Sequence, residues 1–207
     1  MIDKNIKNLI IDFGGVLIGL NRQRCLDNFT KLGLPNVEAM LDEYHQQDFF
    51  QKHEQGLISS TEFRDEIRKR IGREVSDKQI DDAWNSFLTG IPAYKLDLLL
   101  NLRSKYMVYL LSNTNAIHWQ WACKHAFRYK GFRVEDYFDH IYLSYEMKRA
   151  KPDPAIFQQL LDETGIVPLQ TLFIDDSTTN CRAAEALDIH TYTPKAGENW
   201  GHLFDAP

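Results

Sequence analysis

Short apolar runs that end in small or polar residues are the most regular feature of the chain. The first run covers residues 9–13 and ends at Gly14-Gly15. It is too brief for a helix and too continuous for a strand with one face in water, so it predicts a buried parallel strand. Runs of the same character follow at residues 106–111, 141–143 and 172–174, with a weaker run at residues 189–192.

Between these runs, apolar residues recur at the three- and four-residue spacing of amphipathic helices. Such segments lie at residues 96–103, 117–127, 156–161 and 183–187. Strands that alternate with helices predict an α/β fold of three layers, in which helices cover both faces of a parallel sheet. The five apolar runs predict five strands in that sheet.

One long interval breaks the alternation of strands and helices. Residues 20–90 show strong helical periodicity and contain no convincing strand. Within them, Ser76 and Gln79 have the spacing of a capping box at the start of a helix. We therefore expect residues 20–90 to form an inserted helical domain, called the insertion below, on a core made of residues 1–19 and 91–207.

Composition and charge narrow the classes of partner. The 207 residues carry 24 Lys and Arg against 29 Asp and Glu, a formal net charge of −5, with both signs interspersed. This balance argues against a nucleic-acid partner and against a polybasic, membrane-binding segment. Cys25, Cys123 and Cys181 lack the spacing of a disulfide framework or a zinc site, which is typical of a cytoplasmic protein. We expect a cytoplasmic protein with a small-molecule partner.

Polar residues follow three of the predicted strands at their carboxyl ends, where open parallel α/β sheets bind ligands. These residues are Asp12, Ser112 and the pair Asp175-Asp176. Carboxylates gathered at one edge repel each other, by roughly several kcal/mol at intermediate dielectric, unless a cation lies among them. Mg²⁺ prefers oxygen ligands and completes its coordination with water and phosphate oxygens. The pattern predicts a magnesium site that binds a small phosphorylated molecule.

Each of these residues also has a purely structural interpretation. Asp12 before two glycines is typical of a turn. The segments at residues 112–115 and 175–177 are typical of helix N-caps. Their joint occurrence at successive strand ends, together with Lys151-Pro152, favours a functional site over three unrelated caps and turns.

Four segments resemble, in order and spacing, the motifs of the haloacid dehalogenase superfamily. They are residues 11–17, residues 111–113, residues 151–154, and residues 173–176 followed by Asn180. The resemblance covers the whole chain and implies a Rossmann-like core with a helical cap at the insertion. Residues 53–56, 112–115 and 140–144 are similar to bacterial sugar phosphatases of the α-D-glucose-1-phosphate phosphatase kind. This similarity implies a Mg²⁺-dependent phosphatase for small phosphomonoesters, such as hexose 1-phosphates.

The resemblance also implies which residues carry the reaction. Asp12 is the implied nucleophile, which forms an aspartyl phosphate and so divides one difficult displacement into two easier ones. Asp12, the carbonyl of Gly14 and Asp176 are the implied metal ligands. Asp175 and Asn180 are implied to orient or to join this metal shell.

Further residues are implied to bind the substrate. Ser112 and Asn113 are expected to hydrogen-bond a phosphoryl oxygen, while Lys151 neutralises its charge and bridges to the nucleophile. His53 and Glu54, on a turn of the insertion that faces the entrance, are expected to select the substrate. A helix end with a charged surface pair is the alternative interpretation of His53 and Glu54.

The chain departs from the family pattern at Gly14. Most phosphatases of the superfamily carry an aspartate there, which protonates the leaving group and then deprotonates water. Such acid–base catalysis contributes about 10²- to 10⁴-fold, and its loss costs least when the leaving oxygen is already acidic. The glycine therefore predicts a preference for anomeric and aryl phosphates, with a residue of the insertion or a water as proton donor.

Two other functions stay open at this point. A haloacid dehalogenase uses the same carboxylate nucleophile on carbon without a metal, although Asp175-Asp176 without a cation would repel a carboxylate substrate. A binding protein that has lost catalysis with its acid at position 14 is the other alternative. The presence of Asp12, Ser112, Lys151 and Asp176 favours an active phosphatase over this binding protein.

Overall fold

A sheet of parallel strands lies at the centre of the molecule, as the apolar runs predict. The computed structural model describes residues 2–41 and 48–204. Its strands, in chain order, are β1 Asn8–Ile11, β2 Gly19–Leu20, β3 Leu88–Gly90, β4 Met107–Ser112, β5 His140–Leu143, β6 Thr171–Ile174 and β7 His190–Tyr192. Five of them form one parallel sheet in the order β5-β4-β1-β6-β7. The predicted five-stranded α/β core is confirmed.

Strand β1 is the central strand because its residues are apolar on both faces of the sheet. Leu9 and Ile11 point into one hydrophobic cluster, whereas Ile10 points into another on the opposite face. All three are fully buried. β1 pairs with β4 on one side and β6 on the other, with Ile11 level with Leu110 and with Ile174. The ends of these three strands therefore lie side by side.

Helices cover both faces of the sheet and make up most of the insertion. In chain order they are α1 Arg22–Leu32, α2 Val37–Met40, α3 Asp48–Glu54, α4 Ser60–Ile71, α5 Asp77–Asn85, α6 Ala93–Arg103, α7 Ala116–His125, α8 Val134–Tyr137, α9 Ser144–Met147, α10 Pro154–Thr164 and α11 Thr178–Glu185. None of the described helices has the length and apolar character needed to cross a bilayer.

The insertion contains helices α1 to α5, and its two ends are joined by a short sheet. β2 and β3 pair antiparallel, with Gly19 level with Gly90 and Leu20 level with Leu88. The expectation of no strand within residues 20–90 is therefore wrong at residues 88–90. Elements of two or three residues are too short to show the alternation that identifies a strand in a sequence. The division into two domains stays a prediction.

An aromatic cluster holds the insertion together. Phe29, Phe50, Phe63 and Trp84 come from α1, α3, α4 and α5, and all four are fully buried. The Phe50 and Trp84 rings, for example, lie 5.0 Å apart between centroids at 63°. Aromatic pairs in tilted contact stabilise a core by about 0.5–1.5 kcal/mol beyond their buried area. The capping box predicted at Ser76 is confirmed at the start of α5.

Candidate active site

Three carboxylates meet at the carboxyl edge of the sheet, where β1 and β6 end next to each other. Oxygen atoms of Asp12, Asp175 and Asp176 all lie within 4.8 Å of one another. Two oxygens on opposite sides of one Mg²⁺ are separated by about 4 Å, so a single ion can contact more than one of these residues. The convergence that the strand ends predict is present.

Lys151 lies among these carboxylates and is almost fully buried. Its ammonium is 2.5 Å from Asp12 Oδ1, 2.6 Å from Asp175 Oδ2 and 2.9 Å from the carbonyl of Leu111. Burial by itself lowers the pKa of Lys151, but the charges of Asp12 and Asp175 outweigh burial and hold this pKa above its usual value. Lys151 therefore stays positively charged beside the implied nucleophile.

Asn113 positions Lys151 through the backbone. Its side-chain amide accepts from the Lys151 N–H and donates to the Lys151 carbonyl, both at 2.8 Å. Ser112, the last residue of β4, is 1% exposed, and its hydroxyl makes only a long contact of 3.4 Å with the Asn113 carbonyl. That contact leaves the Ser112 hydroxyl able to donate to a phosphoryl oxygen. The substrate contacts implied for Ser112 and Asn113 stay predictions.

Several hydrogen-bond donors contact the Asp175 carboxylate, and Asp176 lines the cavity. Asp175 accepts from Lys151, from the Ser177 N–H at 2.8 Å and from the Asn180 amide nitrogen at 3.1 Å to each oxygen. It is fully buried, so it acts on its neighbours rather than on a ligand in the cavity. Asp176 and Asn180 both line the cavity beside Asp12.

Two features of these residues fit a divalent cation. The amide oxygen of Asn180 is buried and has no hydrogen-bond partner, and oxygen is the donor type that Mg²⁺ prefers. Burial raises the pKa of the Asp12 carboxyl, Lys151 lowers it, and the charges of Asp175 and Asp176 raise it further. A cation among these oxygens offsets the repulsion and keeps Asp12 ionised.

Gly15 allows Asp176 to approach the first motif closely. Its backbone has a φ of +72°, and a Cβ at this position would lie 1.9 Å from Asp176 Oδ2. Gly14 is different, since a Cβ there would meet only Leu20, at 3.5 Å. The structure therefore requires glycine at position 15, whereas position 14 has room for a Cβ.

We expect Gly15→Ala to weaken magnesium binding because the new methyl group displaces the Asp176 carboxylate. Disturbing a group that orients a metal ligand commonly costs about 10- to 100-fold in affinity. The measurement is the Mg²⁺ concentration that gives half-maximal activity.

Gly72→Ala is the matched control, because Gly72 has a φ of +73° and nothing within 4 Å of an added Cβ. Both variants carry the strain of alanine in a left-handed conformation, about 1–2 kcal/mol. An equal magnesium requirement in the two variants would contradict the role given to Gly15.

A small cavity lies directly above the carboxylates, between the core and the insertion. Its volume is about 70 Å³. Both the core and the insertion form its walls. The core contributes Asp12, Phe13, Gly14, Asn113, Thr114, His118, Lys151, Asp176, Ser177 and Asn180. The insertion contributes Glu54 at the end of α3, and Leu20, Phe87 and Leu88 near its two ends. A ligand in this cavity is enclosed by both parts of the chain.

Comparison with known proteins identifies a matching family and individual relatives. A model of the haloacid dehalogenase-like hydrolase family matches residues 6–188. The chain is 40% identical over 195 residues to a D-ribitol-5-phosphate phosphatase of Bacteroides thetaiotaomicron, covering 94% of this chain and 95% of that protein. The chain belongs to the haloacid dehalogenase-like hydrolase family.

Solved structures of relatives share the fold of this hydrolase. One is a family enzyme from Bacteroides thetaiotaomicron in which an aspartate is replaced by alanine, in complex with magnesium and inorganic phosphate. It is 60% identical, with a TM-score of 0.95, covering 97% of this chain and all of that chain. A hydrolase from Porphyromonas gingivalis is 39% identical, with a TM-score of 0.90, covering 96% of each chain.

Glu54, at the end of α3, lines the cavity of the hydrolase as the motif resemblance implies. Its carbonyl accepts from the Ser144 hydroxyl at 2.6 Å, and this hydroxyl in turn accepts from the Thr114 N–H at 2.9 Å. Burial raises the pKa of the Glu54 carboxyl to about 8. The Glu54 carboxyl is therefore neutral near pH 7, unlike a charged surface glutamate.

The turn after Glu54 is tied to the core. Lys148 donates to the Gly56 carbonyl at 2.6 Å, and a Cβ on Gly56 would lie 2.0 Å from the Tyr145 carbonyl. The sequence shows Lys148 only as a charge beside the Lys151 motif. Its contact with Gly56 depends on how the insertion packs on α9, which local sequence does not show.

His53, the other predicted selector of substrate, lies inside the insertion. It is 2% exposed, its ring stacks on Phe63 at 4.3 Å, and its Nε2 is 3.1 Å from the Ser60 hydroxyl. Burial lowers the pKa of His53 to about 3, so its ring is neutral. His53 is not among the described residues that line the cavity, and its contact with substrate stays a prediction without geometric support.

His118 packs against the insertion and also lines the cavity. Its ring packs on Trp84 at 4.1 Å, and its Nε2 lies 3.0 Å from the Trp84 carbonyl. The same ring lines the cavity. Leu20, Phe87 and Leu88 are wall residues that no motif identifies. Their position at the two ends of the insertion is the one signal that could have found them.

The structural interpretations of two motifs as helix N-caps are correct. Asn115 caps α7, with its side chain accepting from the His118 N–H at 3.0 Å. Ser177 is the N-cap of α11. These caps fix the loops that carry Ser112 and Asp176, so capping and site formation use neighbouring residues of the same segments.

Proposed function

We propose that this hydrolase releases inorganic phosphate from a small sugar or sugar-alcohol phosphate, with an aspartyl phosphate on Asp12 as the intermediate. The chain is a magnesium-dependent phosphatase of the haloacid dehalogenase-like family. The observation that carries the proposal is the meeting of three carboxylates and Lys151 beneath a cavity closed by the insertion.

The residues of the cavity divide the chemistry of phosphoryl transfer among them. Asp12 attacks phosphorus, and Lys151 neutralises negative charge on the transferred group. We propose that Ser112, the last residue of β4, and Asn113, which lines the cavity, hold phosphoryl oxygens. The enclosing insertion excludes bulk water, which strengthens each of these interactions.

Asp12, the carbonyl of Gly14 and Asp176 would hold Mg²⁺, with Asn180 beside them. When bound, the ion neutralises the phosphoryl oxygens and orients them toward Asp12. Asp175 and Asn113 keep Lys151 in place by the hydrogen bonds described above. This division of roles accounts for the burial of Asp175 and the exposure of Asp176 to the cavity.

The substrate class follows from the relatives and from the cavity. A relative that is 40% identical carries the name D-ribitol-5-phosphate phosphatase, and ribitol 5-phosphate is the ester of a primary alcohol. The cavity above the carboxylates is small and has apolar walls at Leu20, Phe87 and Leu88. The small size of the cavity and the name of this relative favour a short polyol or sugar carrying one phosphate; hexose 1-phosphates remain part of the predicted class.

The test is phosphate release from a panel of sugar and sugar-alcohol phosphates, with Mg²⁺ and with EDTA. We expect hydrolysis of at least one pentose or pentitol phosphate, and loss of that activity without the metal. Chloride release from 2-chloropropionate is measured beside it. Chloride release without metal would indicate a dehalogenase, and no activity in either assay would indicate a binding protein.

Two further statements belong to this proposal. The cytoplasm is the proposed location, supported by Cys25, Cys123 and Cys181, which are all free thiols.

The insertion is proposed as a separate domain of residues 20–90 on a core of residues 1–19 and 91–207. The pairing of β2 with β3 supports this division, because the chain enters and leaves the insertion at one place.

A further inference from the structure

The proposed reaction needs a proton donor that the first motif does not supply. When Asp12 forms its bond to phosphorus, the bond from phosphorus to the ester oxygen breaks, and an alcohol leaves most easily if that oxygen is protonated. Gly14 has no side chain to provide the proton. The inference below rests on the proposed function and concerns which residue takes this part.

Most titratable residues of the described cavity wall either have another role in the reaction or carry no proton that they could donate. Asp12 is the nucleophile, and Asp176 faces the metal position. Lys151 is bound to two carboxylates and a carbonyl. Burial lowers the pKa of His118 to about 4, and its Nε2 is held at the Trp84 carbonyl, so the ring carries no additional proton near neutral pH.

We infer that Glu54 is the catalytic acid and base of this phosphatase, acting from the insertion across the cavity from Asp12. Glu54 is the carboxylic acid that the insertion contributes to the described wall of this cavity. It lies on the opposite part of the chain from the nucleophile, where the leaving group of a bound phosphate ester has to be. Glu54 thus supplies the group that Gly14 lacks.

The position of Glu54 is fixed by contacts to the core. Ser144 connects the Glu54 carbonyl to the Thr114 N–H, in the loop that follows Ser112. Lys148 holds the next turn through the Gly56 carbonyl. An acid must lie within hydrogen-bond reach of the oxygen that it protonates, and these contacts tie Glu54 to the loop that holds the phosphoryl group.

The surroundings of Glu54 keep its proton in place near neutral pH. Burial raises the pKa of this carboxyl to about 8. The other titratable groups of the described cavity wall are Asp12, His118, Lys151 and Asp176. Tyr145 and Glu146 lie on α9, and Lys148 is its C-cap. α4, which packs on α3, contributes Arg64 toward His53. A protonated acid that becomes a base in the next step needs a pKa near the working pH.

The proton balance closes over one turnover. In the first step the Glu54 carboxyl gives its proton to the ester oxygen as the phosphorus–oxygen bond breaks, and the alcohol leaves. Glu54 is then a carboxylate facing the aspartyl phosphate. In the second step Glu54 takes a proton from water as the water oxygen bonds to phosphorus, and the bond from phosphorus to the Asp12 oxygen breaks. Inorganic phosphate leaves, and Asp12 and Glu54 return to their starting states.

The experiment compares leaving groups in Glu54→Gln and the wild type at saturating Mg²⁺. For a primary-alcohol phosphate, we expect kcat/KM to fall about 10²- to 10⁴-fold, the usual contribution of a positioned acid. For p-nitrophenyl phosphate, whose leaving group needs no proton, we expect kcat/KM to change less than about fivefold. With this aryl ester the variant should also show a burst of nitrophenol, because the second step has lost its base.

Glu74→Gln is the matched control, since Glu74 is exposed on the insertion. It should behave as wild type with both esters. An equal loss on both esters in Glu54→Gln, or no loss on either, would overturn the inference. Failure of the wild type to hydrolyse any phosphate would instead overturn the proposed function, so the two failures are distinguishable.

Two further measurements test the inference, and the first uses only the wild type, so it does not require Glu54→Gln to fold. In the wild type, kcat/KM for the alkyl ester should fall above about pH 8 while that for the aryl ester stays level. Parallel profiles for the two esters would overturn the assignment. In addition, Gly14→Asp should restore alkyl-ester activity to Glu54→Gln by at least about tenfold, because a Cβ at position 14 meets only Leu20 and the carboxyl it carries replaces the missing acid. A double variant as slow as Glu54→Gln would count against a missing proton as the defect.

Discussion

Replacement of Asp12 by asparagine is expected to lower turnover by roughly 10⁴- to 10⁶-fold, as removal of a nucleophile does in other enzymes that use covalent catalysis. The amide has nearly the same shape as the carboxylate, and its oxygen can still accept from Lys151. The variant also removes one of the three carboxylates that repel each other. We therefore expect its thermal stability without magnesium to equal or exceed that of the wild type.

Two measurements check this expectation. Phosphate release gives turnover, and intact mass spectrometry after acid quenching shows whether one phosphoryl group stays on the protein. The wild type should carry the phosphoryl group during turnover, and Asp12→Asn should not. Asp188→Asn is the control, because Asp188 is exposed and has a φ of +60°, a conformation that asparagine tolerates. Turnover of Asp12→Asn within tenfold of the control would exclude Asp12 as nucleophile.

Replacement of Lys151 by methionine is expected to affect both stability and catalysis. The ammonium is almost fully buried between Asp12 and Asp175, and removal of one partner from a buried ion pair costs roughly 3–5 kcal/mol of unfolding free energy. Phosphoryl transfer also loses a positive charge aimed at the transferred group, which costs about 10²-fold or more in kcat.

Urea unfolding measures the first effect of the Lys151 replacement, and steady-state kinetics on the folded fraction measure the second. Lys105→Met, at an exposed position of the core, controls for the change in side-chain type. If Lys151→Met were as stable and as active as Lys105→Met, the ion pairs at Asp12 and Asp175 would have no energetic role. If Lys151→Met lost stability but kept full activity, Lys151 would have a structural role and no catalytic role.

The departure at Gly14 shows how local and tertiary information combine. The motif pattern identifies a missing acid, and on that basis alone a preference for anomeric or aryl esters follows. The structure places Glu54 on the wall of the same cavity, where burial raises its pKa to about 8, so the preference is expected to be weak in the wild type and strong in Glu54→Gln. The relative named as a ribitol-5-phosphate phosphatase is consistent with an acid that serves a poor leaving group.

The amino-acid sequence by itself determined the strands of the core and the residues at their tips. Runs such as residues 9–11 are apolar at every position, so they are stable only between two layers of helices, whatever their neighbours in the sheet. Parallel strands end at one edge, and this rule alone brings Asp12, Asp175 and Asp176 to the same side. The motif spacing added Lys151 and Asn180.

Only the tertiary structure decided how these residues act together. Lys151 reaches Asp12 across 139 positions of sequence because it follows β5 and α9, and β5 lies beside β4, which pairs with β1. Glu54 and His53 are adjacent in sequence, yet one lines the cavity and the other stacks on Phe63. Burial, and with it the protonation of Glu54, depends on groups from several distant segments that together exclude water. The local sequence pattern does not show which side chains are shielded from water.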